Sequence, residues 1–78
     1  MILCNYISGS STAVTYNFGA IENDITGIIR FNLSDMSFDV LKEPDKYAVY
    51  ARSIHRLIGK YKTAFSKGEF GKKISFES

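Results

Sequence analysis

The chain is poor in the residues that build cross-links, metal sites and membrane spans. It has one cysteine, Cys4, one histidine, His55, and one proline, Pro44. A single cysteine excludes an internal disulfide, and together with one histidine it cannot complete a four-ligand Cys/His zinc site. No apolar run approaches the roughly 18 residues of a membrane span, and no basic segment precedes the first apolar residues, as it would in a secretory signal. These absences predict a reducing, cytoplasmic setting, with no membrane association and no cofactor.

The composition is that of one small folded domain. The 78 residues are 45% hydrophobic and 14% aromatic, and ten Lys and Arg against eight Asp and Glu give a net charge of +2. A chain of this length buries only about 60% of the surface that it exposes when unfolded, so a deep substrate cleft would compete with the core for side chains. We therefore expect a single domain over residues 1–78 that is not an enzyme.

The first half of the chain has the period of β-strands. Apolar residues recur at every second position between clusters of Gly, Ser, Asn and Asp. This pattern predicts four strands, at about residues 2–8, 12–19, 25–33 and 36–41. Their short connections are typical of an antiparallel meander. The first strand is apolar on both parities, which leaves open whether it is a central strand covered on both faces or an edge strand that pairs in a homodimer.

From Pro44 the apolar period changes from two to 3.6 and predicts one long helix over about residues 44–67. Pro44 suits the first helical position, and Gly68 suits a left-handed C-terminal cap. Gly59 lies inside the pattern, where it either kinks the helix or splits it, and we favour one helix. The alternating tail, residues 72–77, leaves a fifth strand open. The predicted fold is α+β, a four-stranded antiparallel sheet covered on one face by this C-terminal helix.

Charge is distributed unevenly along the chain. Residues 1–41 hold one basic and four acidic residues, a net charge of −3, whereas residues 42–78 hold nine basic and four acidic residues, a net charge of +5. Four basic residues fall within an arc of about 80° at roughly 100° per residue, opposite the apolar side of the predicted helix. We call these the basic ridge, and they are Arg52, Arg56, Lys60 and Lys67. Lys72 and Lys73 continue it along the chain.

Three interpretations of the basic ridge remain open. It is a solvated helix face that keeps the protein in solution, a contact for the phosphates of nucleic acid, or a contact for an acidic protein surface. Aromatic residues beside basic ones can also stack on bases. Most of the aromatics, including Tyr47 and Tyr50, lie at positions that predict core packing, and Tyr6 and Phe70 are the candidate exposed contact residues.

Evidence for catalysis or metal binding is weak. His55 has no adjacent nucleophile or carboxylate that the sequence designates, and Cys4 in an apolar strand is typical of a small core residue. The carboxylates are explained by turns better than by paired acid–base chemistry or a Mg²⁺ site. They are Glu22, Asp24, Asp35 and Asp39. We expect no catalytic residue and no metal site.

The predicted helix exit resembles the end of the KTSC domain, a small module named for the C-terminus of some lysyl-tRNA synthetases. The similar run extends from Ala64 through Ser66, Gly68 and Phe70 to Ile74, and Pro44 matches the proline that opens the helix in that family. Gly71-Lys72 stands where the family has an aromatic residue followed by Asn, the spacing to the isoleucine is one residue shorter, and the predicted helix is longer. The resemblance implies an RNA-associated or interaction module.

The sequence therefore predicts a non-enzymatic interaction module whose basic ridge, with Lys72 and Lys73, binds a polyanion, either nucleic acid or an acidic protein surface. The alternative is a stand-alone inhibitor or adaptor, of the kind that phages and mobile elements encode. Such a protein would occlude a partner protein through strand edges or through acidic turns such as Glu22 and Asp24.

Overall fold

The computed structural model describes residues 1–77 and has the predicted α+β architecture. One antiparallel sheet of five strands packs against one α-helix. In chain order the elements are β1 (Ile2–Gly9), β2 (Ala13–Gly19), a short 3-10 helix (Glu22–Asp24), β3 (Gly27–Asn32), β4 (Ser37–Lys42), α1 (Ala51–Ser66) and β5 (Lys73–Phe76). Each of the four predicted strands agrees with its observed bounds to within two residues, and the fifth strand forms.

The sheet has the strand order β4-β3-β2-β1-β5. The first four strands are a meander, as their short turns predict, and β5 returns to pair with β1 in the register Cys4 with Ile74. The first strand is therefore central, and the outer strands of the sheet are β4 and β5. The second face of β1 is only partly covered: Leu3 and Asn5 lie opposite buried Ile2 and Cys4 and are half-buried. Dimerisation through an edge strand stays a prediction, and it would involve β4 or β5.

The core lies between the sheet and α1 and is centred on Phe65. This side chain is 1% exposed, and its ring stacks on Tyr16 at a centroid distance of 6.2 Å and contacts Phe31 at 5.6 Å. The Tyr16 hydroxyl donates a hydrogen bond to the Gly71 carbonyl at 2.8 Å. The alternating apolar residues of the strands therefore meet the apolar side of the helix, and one polar bond ties the centre of the sheet to the chain that enters β5.

The predicted start of the helix at residue 44 is wrong, because α1 begins at Ala51. Pro44 is buried in the connection that follows β4 and is not the first helical residue. The backbone N–H groups of Lys46 and Tyr47, which a helix from Pro44 would direct along its own axis, donate instead to the Asp24 carboxylate. A tertiary hydrogen-bond acceptor thus fixes the backbone of Lys46 and Tyr47, and residues 44–50 are non-helical despite their apolar spacing.

The C-terminal end of the helix follows the prediction. Gly68 has φ +74°, a left-handed conformation that side chains disfavour. The N–H groups of Lys67 and Glu69 both donate to the Ala64 carbonyl, which closes the last turn. Gly59 is exposed within an uninterrupted helix and does not split it. Within residues 1–77, the helix is neither long nor apolar enough to cross a membrane.

Candidate functional site

The basic ridge is exposed and has no acidic partner within residues 1–77. The only ion pairs in this range join Arg30 to Asp39 at 3.0 Å and Lys42 to Asp45 at 3.0 Å. Among residues 1–77, the basic residues from Lys46 onward have no carboxylate within salt-bridge distance, so no ion pair compensates their charge there. A solvated surface tolerates such charge, but a row of like charges also raises the local potential that attracts an anion.

The structure does not bring all six predicted basic residues onto one surface. Lys60 is drawn toward β5, because its Nζ donates to the Ser75 carbonyl at 3.1 Å and lies 5.2 Å from the Tyr61 ring centroid. Lys67 is the C-cap residue of α1, beyond the last helical turn. Lys73 pairs with Asn5, next to the buried pair of Cys4 and Ile74, so its side chain lies on the sheet face that α1 does not cover. Lys72 is exposed and directly precedes β5.

Arg52 and Arg56 do lie together, at the beginning of α1. They are one helical turn apart, and both line a shallow pocket that also includes Tyr50. Arg52 lies in the first turn, where a cationic side chain is unfavourable because the N–H groups there already carry partial positive charge. The positive charge at this end of α1 therefore destabilises the helix.

The same helix end has no cap. The N-cap residue is Tyr50, whose backbone is extended and whose side chain makes no capping hydrogen bond, and the first turn contains no acidic residue. Ser, Thr, Asp or Asn ordinarily satisfies the free N–H groups at this position. An anionic ligand could do the same from outside.

Tyr47 and Tyr50 are exposed, which corrects the prediction that they pack in the core. Their exposed fractions are 56% and 79%. The prediction placed them on the apolar side of a helix starting at Pro44, and they lie instead in the non-helical segment before α1. We call Tyr47, Tyr50, Arg52 and Arg56 the tyrosine–arginine surface. The sequence reasoning missed the two tyrosines, and no local pattern could have separated them from core aromatics.

Asp24 fixes the conformation of the segment that carries these tyrosines. Its side chain is buried, and its carboxylate accepts the Tyr47 N–H at 2.8 Å, the Lys46 N–H at 3.0 Å and the Thr26 hydroxyl at 3.1 Å. Thr26 in turn accepts the Asp45 N–H at 2.8 Å. Burial raises the pKa of Asp24, but the N–H groups of Tyr47 and Lys46 and the Thr26 hydroxyl outweigh that effect and hold the pKa below its ordinary value. Asp24 is thus a charged structural anchor, and its burial removes it from any acidic docking surface.

The two predicted contact aromatics pack against each other. The rings of Tyr6 and Phe70 are stacked at a centroid distance of 6.4 Å, and Phe70 also contacts Phe65 at 5.9 Å. Gly9 lies beneath them, since a Cβ there would come within 2.8 Å of the Phe70 ring. Phe70 is therefore largely a packing residue, while Tyr6 keeps 39% of its surface exposed.

The residues that were candidates for catalysis or metal binding are buried or are engaged in packing contacts, ion pairs or hydrogen bonds. Burial raises the pKa of the Cys4 thiol to about 12, so it stays neutral. His55 packs edge-on against Phe38 at 5.3 Å. Asp39 pairs with Arg30, and Asp35 accepts the Ser37 N–H. Among residues 1–77, no three His, Cys, Asp or Glu side chains are grouped closely enough to hold a metal ion.

Comparison of the chain with protein-family models, with curated proteins and with solved structures found no match. The resemblance of the helix exit to the KTSC domain stays a prediction. The geometry of the tyrosine–arginine surface is therefore the basis for a functional proposal.

Proposed function

We propose that this protein is a non-enzymatic module that binds single-stranded nucleic acid through its tyrosine–arginine surface. The observation that carries the proposal is the placement of two exposed tyrosines shortly before two arginines that have no carboxylate partner within residues 1–77, at a helix N-terminus without a side-chain cap. Proteins that bind single strands combine a positive surface along the phosphates with aromatic rings on which bases stack.

The charge of this surface suits phosphate. Arg52 and Arg56 have no carboxylate partner within residues 1–77, and the guanidinium group can donate two parallel hydrogen bonds to one phosphate. Binding would relieve the repulsion between the two arginines and the helix dipole. Lys46 precedes the tyrosines, and its exposed side chain adds a third positive charge on the same segment.

The exposure of the tyrosines is what favours nucleic acid over an acidic protein. Tyr50 is 79% exposed, so most of its side chain is accessible. Its ring therefore contributes little to the packing that stabilises the fold. Base stacking on an exposed ring is worth about 1–3 kcal/mol per base. Asp24 already fixes the conformation of this segment, so the segment loses less conformational entropy when a ligand binds.

Fluorescence anisotropy with short labelled single-stranded DNA and RNA, at low and at moderate salt, tests the proposal. Binding should weaken as salt increases, and Arg56→Glu should reduce affinity strongly. Lys62→Glu is the matched control, because Lys62 is also exposed on α1 and the change exchanges the same charges, but it lies on the other flank of the helix. Equal losses in the two variants would indicate attraction by net charge alone. An absence of binding at low salt would overturn the proposal and favour an acidic protein partner.

A further inference from the structure

The two outer strands of the sheet differ in how their free edges are covered. At β5, side chains of α1 bind the backbone of Ser75, because Lys60 Nζ donates to its carbonyl at 3.1 Å and its N–H donates to the Tyr61 hydroxyl at 3.4 Å. At β4, the backbone of residues 38–41 makes no hydrogen bond within residues 1–77 outside the ladder with β3. An outer strand directs a row of N–H and C=O groups away from its neighbour. This row is therefore open at β4 and covered at β5.

Apolar side chains lie along the same open edge. Phe38 and Val40 pack against the core but are only half-buried, since they belong to the last strand of the sheet. Leu41 is 54% exposed. An added strand would cover these three side chains and bond to the backbone groups beside them, which is how an extended segment joins a sheet edge.

The charges of β4 are complementary to a second β4. Asp39 and Lys42 pair in β3 with Arg30 and Ile28, which are two residues apart and share the sheet face away from α1. Their own spacing is three residues, because Leu41 is an extra residue without a partner in β3. Two β4 strands that pair antiparallel, with the centre just before Leu41, place Asp39 of each copy opposite Lys42 of the other.

We propose that β4 pairs antiparallel with β4 of a second copy of this chain, about a two-fold axis, so that one continuous sheet runs through the dimer. Opposite charges directly across an antiparallel pair are favourable, and the symmetry makes the contact twice. Asp39 and Lys42 already form exposed ion pairs with Arg30 and Asp45, so the contact joins two pairs across the interface. A two-fold interface requires a strand that complements itself. The charges of β4 meet this requirement, and they favour a second copy over a foreign strand.

The basic residues of α1 do not oppose this dimer. Lys60 bonds to β5, and Arg52 and Arg56 share a shallow pocket with Met1, which directly precedes β1. Strands β1 and β5 lie at the opposite edge of the sheet from β4. Repulsion between the copies is therefore kept away from the interface, and both arginines stay accessible in the dimer. The inference is independent of the proposed function, because the dimer needs no ligand.

Light scattering coupled to size-exclusion chromatography tests the proposal in the absence of nucleic acid. The mass of the unmodified protein should approach twice that of the 78-residue chain as its concentration increases. Lys42→Glu should raise the dissociation constant of the dimer at least about tenfold, since two attractive contacts become repulsive. Lys73→Glu is the matched control, because it makes the same change of charge on β5, the other outer strand. It should leave the dimer intact.

A mixture of two variants tests the contact between Asp39 and Lys42. Asp39→Lys alone should also weaken the dimer, but mixing it with Lys42→Glu should restore the dimer, because every charge then faces an opposite one. Circular dichroism verifies that each variant is folded. If the loss of the Arg30 pair unfolds Asp39→Lys, Leu41→Lys replaces it as a variant that must weaken the dimer.

Three results would overturn the proposal. A monomeric mass up to millimolar concentration would leave the edge of β4 to a foreign strand. Equal weakening by Lys42→Glu and Lys73→Glu would place the interface elsewhere. Folded variants that stay monomeric when mixed would exclude the contact between Asp39 and Lys42.

Discussion

The carboxylate of Asp24 accepts the backbone N–H of Tyr47 at 2.8 Å, across 23 residues of sequence. This bond joins the 3-10 helix after β2 to the segment that precedes α1. It fixes the backbone at Tyr47, within the non-helical segment that precedes Ala51 and carries the two exposed tyrosines. Asp24 thus stabilises the fold at this point and also fixes the backbone of Tyr47, a residue of the candidate site.

Replacing Asp24 with Asn should lower both stability and binding. The amide keeps the size of the side chain but loses the charge, and its NH₂ group would face the N–H donors of Lys46 and Tyr47. We expect a lower urea midpoint and weaker binding of single-stranded nucleic acid, because the segment is no longer fixed. Asp45→Asn is the control in the same segment, since it removes only an exposed ion pair with Lys42. A larger loss in the control would contradict the anchor role.

The dependence of stability on pH tests the same anchor. Because the pKa of Asp24 is lower in the folded protein than its ordinary value of 3.8, the unfolded chain binds protons first as the pH falls. The stabilisation is fully present above about pH 4 and is lost as the pH falls through the folded pKa. Asp35 and Asp39 have pKa values lowered by hydrogen bonds with Ser37, and with Asn32 and Arg30, and add to this loss. Urea unfolding between pH 2 and pH 7 should show a shallower acid decline for Asp24→Asn than for the unmodified protein. Identical declines would contradict the assignment.

Arg52→Glu should stabilise the protein and weaken its binding. Arg and Glu have similar helix propensities, and a negative charge in the first turn interacts favourably with the helix dipole, by about 0.3–1 kcal/mol. Thermal unfolding should therefore occur several degrees higher, while anisotropy shows a strong loss of affinity. A destabilised variant would contradict the unfavourable charge arrangement at this helix end, and unchanged binding would remove Arg52 from the site.

Tyr50→Ser should also stabilise the protein and weaken its binding, in this case by adding a helix cap and removing a ring. Serine is a favoured N-cap residue, and the change should stabilise α1 by about 0.5–2 kcal/mol. It also removes the most exposed ring of the surface, so affinity should fall by about tenfold or more. Tyr50→Phe should keep the affinity, since it retains the ring. If Tyr50→Ser binds as well as the unmodified protein, stacking on this residue is excluded.

Gly59→Ala should stabilise the protein without affecting binding. Gly59 is exposed within α1, and an added Cβ would meet no atom within 4 Å. Alanine in place of a helical glycine gains roughly 0.5–1 kcal/mol, which a thermal unfolding curve can resolve. This variant shows that a change in helix stability alone does not alter affinity. An affinity change would mean that the effects of Arg52→Glu and Tyr50→Ser cannot be assigned to the site.

The sheet could be predicted from sequence because its pattern is local. Alternation along each strand and short turns predict β1 to β4 and their meander, whereas the alternating tail leaves β5 open, and the structure shows that it forms. Gly68 marked the end of the helix because a left-handed residue after the last turn requires a particular residue type. The beginning of the helix could not be predicted in this way, because Pro44 and the spacing of Tyr47 and Tyr50 satisfy the helical pattern and yet this segment is not helical.

The candidate site could be predicted only in part, because a local sequence pattern does not show tertiary contacts. Exposed basic residues on one helix face follow from helical geometry, so Arg52 and Arg56 were found. The exposed tyrosines lie in a segment whose backbone is bound by Asp24, more than 20 residues away in sequence. The helical angle groups Lys60 with the arginines, and Lys73 is added because it follows along the chain, but Lys60 bonds to β5 and Lys73 lies on the other face of the sheet. Such distinctions require the tertiary structure.

The most direct test of the account is the affinity of single-stranded oligonucleotides for the unmodified protein, for Arg52→Glu/Arg56→Glu and for Lys62→Glu, measured by anisotropy at two salt concentrations. A site at the beginning of α1 predicts binding that weakens with salt, that the double variant abolishes and that Lys62→Glu largely retains. Binding that survives the double variant, or that Lys62→Glu reduces equally for each charge exchanged, would contradict a site at the beginning of α1.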